Sequence, residues 1–290
     1  MFAADDAVVE PMCVAWRSCC LAHPSQELRF HLLDCGISEQ KLEIAKTYAQ
    51  SLSAVLRVYP MDVARLDGLS PRLALSTHLS SATLARCFMG SVLPQSCKRV
   101  VYLDTDVLVT RPLNALFDLD LDGAVIAGVP DVLDHLADLG IAQGDYINAG
   151  VLLVDLEAWR AQDIEKDILD IFSAQDARLL YHDQCAINLA LRGKIRPLPG
   201  HYNHFHVVKP GHSGDVLPSI FHCTGSPKPW VAPHRHPFGS LYCLFSEGTP
   251  WPMDYAAHLH AEAAEMRVNY RRLNPVFRAV VRYARRKGAI

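Results

Sequence analysis

Val100-Val101-Tyr102-Leu103-Asp104-Thr105-Asp106-Val107-Leu108-Val109 is the stretch on which the fold turns. It starts as an apolar, β-branched run of the kind that makes a buried strand. Two carboxylates separated by one residue interrupt it, and it then resumes as apolar. Ionised carboxylates do not stay in an apolar strand without a partner. At the carboxyl end of a central strand, Asp104 and Asp106 would stand at the lip of the crevice where open α/β sheets bind ligands. Two hard oxygen ligands there suit a divalent cation such as Mg2+ or Mn2+. The competing explanation is a strand that ends early, with the acidic pair capping the next turn.

Upstream, strand and helix signals alternate. Met1 to Asp6 reads as the end of a strand, and Pro11 to His23 as a helix with Pro11 in its first turn. Leu28 to Asp34 is a strand ending in an acid, and Ser38 is placed to cap the helix that follows. Ala54 to Tyr59 reads as a strand, and Leu79 to Leu93 as a helix carrying Arg86 and closed by Pro94. Such alternation predicts an α/β domain with a mostly parallel sheet and helices on both faces. Downstream, Gly123 to Asp131 is another buried strand ending in an acid. Tyr146-Ile147-Asn148-Ala149-Gly150 leads into the strand Val151 to Asp155, and its small residues allow close approach to the backbone. Glu157 to about Ala174 is expected to be helical, and Tyr181-His182-Asp183-Gln184 opens a helix over Cys185 to Leu191. A His-rich loop, Pro199 to Gly214, precedes the short strand Ser219 to Gly225.

With 290 residues, half of them hydrophobic, the chain can bury a substantial core. The net charge of -3 gives no reason to expect a nucleic-acid partner. The 9 cysteines form no C-x-x-C pair, so Cys13, Cys87 and Cys185 read as small core residues in a reducing compartment. No apolar run approaches the roughly 18–20 residues of a membrane span, and no leader is visible at the start. These features predict a cytosolic protein, or one on the cytosolic face of a membrane. From Arg267 onward acids are absent while Arg271, Arg272, Arg278, Arg282, Arg285, Arg286 and Lys287 accumulate, with Phe277, Val280 and Val281 at helical spacing. That is a basic amphipathic helix, suited to an anionic inner-membrane surface or to docking on the body. The expected division is a main domain over 1–239 and a basic helical region over 240–290.

A third ligand beside Asp104 and Asp106 could come from His222, at the carboxyl end of a late strand. Imidazole with carboxylates suits Mn2+ slightly better than Mg2+. Gly225 permits close approach, and Lys228, on a loop stiffened by Pro227 and Pro229, is a point charge suited to phosphate. Cation, Lys and glycine turn together describe a diphosphate site. His201, His204 and His206 lack convincing ligand spacing and read as loop residues or as residues that support the site's ligands from behind. The acidic pair also fits the phosphatase pattern of the haloacid dehalogenases, but that pattern sits on the first strand of its domain.

The ordered set Phe2-Ala3-Ala4-Asp5-Asp6, Arg86, Asp104-Thr105-Asp106, Asn148-Ala149-Gly150, Asp183-Gln184 and His222-Cys223-Thr224-Gly225-Ser226-Pro227-Lys228-Pro229-Trp230 resembles the retaining glycosyltransferases of family 8. That group includes glycogenin and the bacterial lipopolysaccharide galactosyl- and glucosyltransferases, and the resemblance is strongest to its α-1,4-galactosyltransferases. It implies a GT-A fold, a Rossmann-like sheet that binds a UDP-sugar with Mn2+. It implies that Ala3, Ala4 and Asp5 hold the uridine, that Asp104, Asp106 and His222 bind the metal, and that Gly225 and Lys228 contact the diphosphate. Thr105 lies within the donor-binding motif; Arg86, Asn148, Ala149, Asp183 and Gln184 would surround the sugar. Gln184 and Asp183 would be the catalytic pair, and His78, Asp131 and Tyr181 would line the acceptor side. The implied acceptor is a lipopolysaccharide core saccharide. Ala7 departs from the polar residue often found at the nucleotide edge, and the loop after Asp131 lacks the usual aromatic.

Overall fold

The computed structural model describes residues 1–69, 81–133, 136–174, 179–205, 218–254, 256, 257 and 260. The first strands, β1 (Phe2–Ala4), β2 (Arg29–Asp34) and β3 (Val55–Pro60), run parallel. Parallel neighbours need long crossovers, and helices α1 (Val9–Ala22) and α2 (Glu39–Ser51) supply them. Ser38 stands at the start of α2 in extended conformation, but its side chain makes no capping bond. Helix α3 (Val63–Leu69) follows β3. The helix expected over Leu79 to Leu93 is, where described, a 3-10 helix over Ser81–Phe88 continued by α4 (Met89–Val92).

Strand β4 (Arg99–Leu103) lies beside β1, because Leu103 N–H donates to the Met1 carbonyl at 3.0 Å. Past the acidic turn come β5 (Val107–Val109), α5 (Asn114–Phe117), β6 (Ile126–Pro130) and β7 (Ile147–Asp155). Helices α6 (Leu156–Ala161), α7 (Ile164–Ser173) and α8 (His182–Ala190) lead to the short β8 (Ile195–Pro197). The sheet order β4-β7-β6-β8 makes β7 antiparallel to both its neighbours, while β6 and β8 are parallel. No described helix intervenes between β6 and β7, so the chain returns in the opposite sense. The single helix expected over Glu157 to Ala174 is two, divided at Asp163, whose φ of 51° no α-helix accommodates. A smaller sheet, β5-β10-β9, is built from β5, β9 (His204–Phe205) and β10 (Ile220–His222).

Each face of the main sheet carries its own core. Phe2 and Ala4 of β1 join Val9, Met12 and Trp16 of α1 and Ala45 and Tyr48 of α2 on one side. Met1 and Ala3 face the other way, with Met89, Trp159, Ile168, Phe172 and Ile187. The Trp16 ring stacks on Phe30 at 5.2 Å and meets Phe2 edge-on at 6.3 Å. Such aromatic pairs add about 0.5–1.5 kcal/mol each beyond their burial. All nine cysteines are unbridged, and burial pushes the Cys13 and Cys19 thiols up to about 12, which keeps them inert.

The described chain divides into two compact units. One holds Met1–Thr224 together with Gly248–Trp251; the other begins at Gly225. In the latter, Trp230 packs on Tyr242 of α9 (Gly239–Ser246) with centroids 5.7 Å apart, and Lys228 Nζ lies 5.9 Å from the Trp230 centroid. Among the described residues no helix is long and apolar enough to cross a membrane. The basic tail from Arg267 and its proposed helix lie outside the described residues.

Candidate active site

Asp104, Thr105 and Asp106 form the turn between β4 and β5, two strands of different sheets. The apolar run is therefore two strands, and the acids occupy the gap. Asp104 N–H is still held in the ladder by the Gly150 carbonyl at 2.8 Å. Pairing of β5 with β10 sets His222 opposite Val107, and Cys223 N–H donates to the Asp106 carbonyl at 2.8 Å. Strand register thus delivers a distant histidine to the acidic turn. His222 Nε2 lies 3.1 Å from Asp106 Oδ1 and 3.7 Å from Asp104 Oδ2. One ligand atom from each of the three lies within 4.8 Å of the others.

Two carboxylates and one imidazole at this spacing fit a divalent cation of the Mn2+ or Mg2+ kind. Gly150 leaves room for them. A Cβ there would run into His222 Cε1 and lie 2.6 Å from Asp104 Oδ2. The close approach that the small residues of this strand allow is that of the site's own ligands.

Arg86 anchors the other side of Asp104. Its Nη1 lies 3.0 Å from Asp104 Oδ1, which also accepts from the Tyr102 hydroxyl at 2.8 Å. Its Nε lies 2.8 Å from Asp183 Oδ2, yet the Nε–H points to the Thr83 carbonyl at 2.9 Å. The Asp183 contact is accordingly Coulombic, and Asp183 Oδ2 receives no hydrogen bond. Burial works against the charge on Arg86, but Asp104 and Asp183 outweigh it, and its pKa rises. Burial pushes the Asp183 carboxyl up to about 6 against the pull of Arg86, and Asp104 adds to the rise. The guanidinium also lies over the Tyr102 ring, 4.6 Å from its centroid.

Strand β7 supplies the remaining polar surface. Its inward-facing residues are Ile147 and Ala149 before Gly150, then Leu152 and Val154 after it, so the alternation changes phase at the glycine. The phase change frees the Ala149 peptide for side chains. Its N–H donates to Gln184 Oε1 at 3.1 Å and its carbonyl accepts from Arg86 Nη1 at 2.6 Å. Gln184 Nε2 donates to Asp131 Oδ2 at 3.3 Å, as does Asn148 Nδ2 at the same distance. One polar surface thus contains Arg86, Asp104, Asp106, Asp131, Asn148, Ala149, Asp183, Gln184 and His222.

The other expected residues lie elsewhere. Ala3 and Ala4 are buried within β1, with Asp5 just beyond it accepting from Ala7 N–H at 3.0 Å. Tyr181 is exposed at the start of α8. His201 lies in the 3-10 turn Gly200–Tyr202 against Tyr202, whereas His204 belongs to β9 rather than to a loop, edge-on to its strand partner Phe221. Gly225, at φ 81°, and Lys228 belong to the other unit. His78 and His206 lie outside the described residues. Two participants escaped the sequence: Tyr102, which reads as strand filler, and Asn203, which lies in no motif. Asn203 is 1% exposed, and its Oδ1 is 2.9 Å from His222 Nδ1.

A mixed sheet flanked by helices, with an acid-His cluster at its strand ends, is the GT-A architecture of nucleotide-sugar transferases. Solved structures bear this out. The galactosyltransferase LgtC, in complex with donor and acceptor sugar analogues, superposes with a TM-score of 0.71 at 29% identity, covering 79% of this chain and 88% of that one. The profile of glycosyl transferase family 8 matches residues 1–233, and the chain belongs to that family. Among curated relatives, the lipopolysaccharide 1,2-glucosyltransferase of Escherichia coli is 30% identical over 192 residues, 60% of this chain and 56% of its own length. The lipopolysaccharide 1,3-galactosyltransferase of Salmonella typhimurium is 24% identical, covering 82% of this chain and 74% of that protein. General stress protein A of Bacillus subtilis is 24% identical, covering 78% and 84%. Family membership sets aside the phosphatase reading of the acidic pair.

Proposed function

We propose that the chain transfers a hexose from a UDP-sugar to a saccharide acceptor of the lipopolysaccharide or lipooligosaccharide type, with retention of configuration and with Mn2+ (or Mg2+) as the metal. Galactose is the proposed sugar, and glucose is the near alternative, one epimeric hydroxyl away. The observation that carries the proposal is the convergence of Asp104, Asp106 and His222 beside the buried Arg86 and Asp183. Relatives named for both galactosyl and glucosyl transfer to lipopolysaccharide support the substrate class.

A cation held by Asp104, Asp106 and His222 would neutralise the charge that develops on a leaving diphosphate. Gly225 and Lys228 are part of the same proposal as diphosphate contacts, Ala3, Ala4 and Asp5 as uridine contacts, and Thr105 as a donor contact. Arg86 engages Asp104 Oδ1 and leaves Oδ2 turned to His222. Ala149 N–H fixes the Gln184 carbonyl, and Asp131 fixes its amide nitrogen. A neutral amide is a poor nucleophile, but its oxygen can stabilise the oxocarbenium-like sugar of glycosyl transfer. The acceptor hydroxyl would then attack from the face the diphosphate leaves, and a phosphate oxygen would take its proton. Asp183 would orient the sugar hydroxyls. His78, Asp131 and Tyr181 are proposed for the acceptor side, and the basic region within 240–290 for an anionic membrane surface at the cytoplasmic face.

UDP release from UDP-galactose and UDP-glucose, with and without Mn2+, tests the proposal. Metal-dependent release, faster with UDP-galactose, is expected. UDP binding with no release from either donor would mark a nucleotide-sugar-binding protein without turnover. A glycosyl adduct trapped on Gln184 or Asp183 would replace same-face attack by a covalent route.

A further inference from the structure

Asn203 follows a 3-10 turn, Gly200–Tyr202, and is buried with its amide between two side chains of the site. A buried amide needs partners for both its carbonyl and its NH2 group. Its Nδ2 donates to Asn148 Oδ1 at 2.9 Å, and its Oδ1 is 2.9 Å from His222 Nδ1. Which way such an amide points is ambiguous by shape alone, but here a backbone group decides it. Gly150 N–H, which can only donate, gives its proton to Asn148 Oδ1 at 2.9 Å. Asn148 Nδ2 is turned to the Asp131 carboxylate, which can only accept when ionised. Asn148 therefore offers an oxygen to Asn203, Asn203 answers with its NH2, and its carbonyl is left facing His222. An oxygen facing Nδ1 requires the imidazole proton to be on Nδ1.

We propose that Asn203 is a positioning residue that locks His222 in the Nδ1–H tautomer, so that Nε2 turns a lone pair toward the cation site between Asp104 and Asp106. The proposal rests on the metal reading given above. Its physical content is the exclusion of a rival state. With the proton on Nε2, His222 would donate to Asp106 Oδ1, 3.1 Å away, and close the site without a cation. The Asn203 carbonyl would then face a bare Nδ1 lone pair, two acceptors opposed in a buried place. The same net continues through Asn148 and Asp131 to Gln184, so the orientation of a metal ligand and of the sugar-facing amide share one set of hydrogen bonds.

The test combines nitrogen NMR with metal titration. In the metal-free wild type at mildly alkaline pH, the His222 ring, assigned by its absence from His222→Gln, is expected to show a protonated Nδ1 and an unprotonated Nε2. Asn203→Ala is expected to lose this tautomer preference. Its Mn2+ affinity, read by the paramagnetic resonance of free Mn2+, is expected to fall ten- to a hundredfold, on the order seen when partners of metal-bound histidines are removed. Asn203→Asp still offers an oxygen to Nδ1–H and is expected to keep the tautomer, a rescue that a general packing role would not produce, while its second oxygen now opposes Asn148 Oδ1 and lowers stability. A wild-type ring protonated on Nε2 overturns the proposal, whether or not any variant folds. So does Asn203→Ala binding Mn2+ as tightly as wild type. If wild type binds no Mn2+ while its ring shows the Nδ1–H form, the metal reading has failed and the ligand role falls with it, whereas the tautomer lock itself is seen to hold.

Discussion

Aspartates close several strands of this sheet, and two groups of them have opposite fates. At the β1–β2 edge, Asp5, Asp6 and Asp34 accept from nearby backbone amides. Asp34 takes Gly36 and Ile37 at 3.1 and 2.8 Å, and Asp6 takes Ser38 at 2.9 Å while pairing with Lys41. These carboxylates sit at least partly in water and do the work of turn residues. At the β4–β5 corner, Asp104 and Asp106, and Asp183 nearby on α8, are more enclosed and stand against charged or titratable side chains. An acid at a strand end is ordinary. An acid whose partners are a buried guanidinium and a buried imidazole marks a site built for charge.

The comparison breaks first at Arg86, which is 4% exposed. Arg86→Met would leave Asp104 and Asp183 facing each other without their cation. Removing one partner of a buried ion pair costs about 3–5 kcal/mol, so urea unfolding should show a loss of that size. A loss below about 1 kcal/mol, the scale of surface pairs, would place this corner with the solvated group.

Gly150→Ala comes next. The added methyl meets His222 and Asp104, and overpacking of this kind costs about 1–3 kcal/mol. Mn2+ binding should weaken by more than the unfolding midpoint suggests, because the displaced atoms are the proposed ligands. Unchanged Mn2+ affinity would mean that the ligand cluster forms elsewhere.

The smallest effect belongs to the quiet edge. His31 on β2 is buried, stacks on Tyr59 and shares a 2.9 Å hydrogen bond with its hydroxyl. Burial, then nearby positive groups including Arg57, lowers its pKa to about 4 from 6.5. The unfolded chain therefore takes up this proton at a higher pH than the folded one does. The stability tied to neutral His31 is complete above about pH 6.5 and declines as the pH falls toward 4. His31→Gln should flatten the fall in urea midpoint across that window, and an unchanged slope would assign it to other groups.

The contrast also explains what the sequence could disclose. The parallel β1–β3 unit with its crossover helices was legible from alternating patterns, and Asp104 and Asp106 from charge inside an apolar run. His222, Asp183 and Gln184 were reached through the ordered family motifs, since no local spacing joins them. Asn203 was not legible: an Asn in a polar loop is commonplace until β9 and β10 pair and fold it over His222. Tyr102 reads as apolar filler because its hydroxyl gains a partner only when Asp104 sits at the end of the same strand. The antiparallel turn of β7 and the split at Asp163 depend on chain geometry that residue patterns do not encode.

The central claim, that the β4–β5 corner holds the metal through which UDP binds, is tested most directly by calorimetry of UDP with and without Mn2+ on wild type, Asp106→Ala and Asp34→Ala. Wild type and Asp34→Ala should bind UDP with the same Mn2+ dependence, and Asp106→Ala should lose that dependence. Mn2+-dependent UDP affinity undiminished in Asp106→Ala would contradict the account.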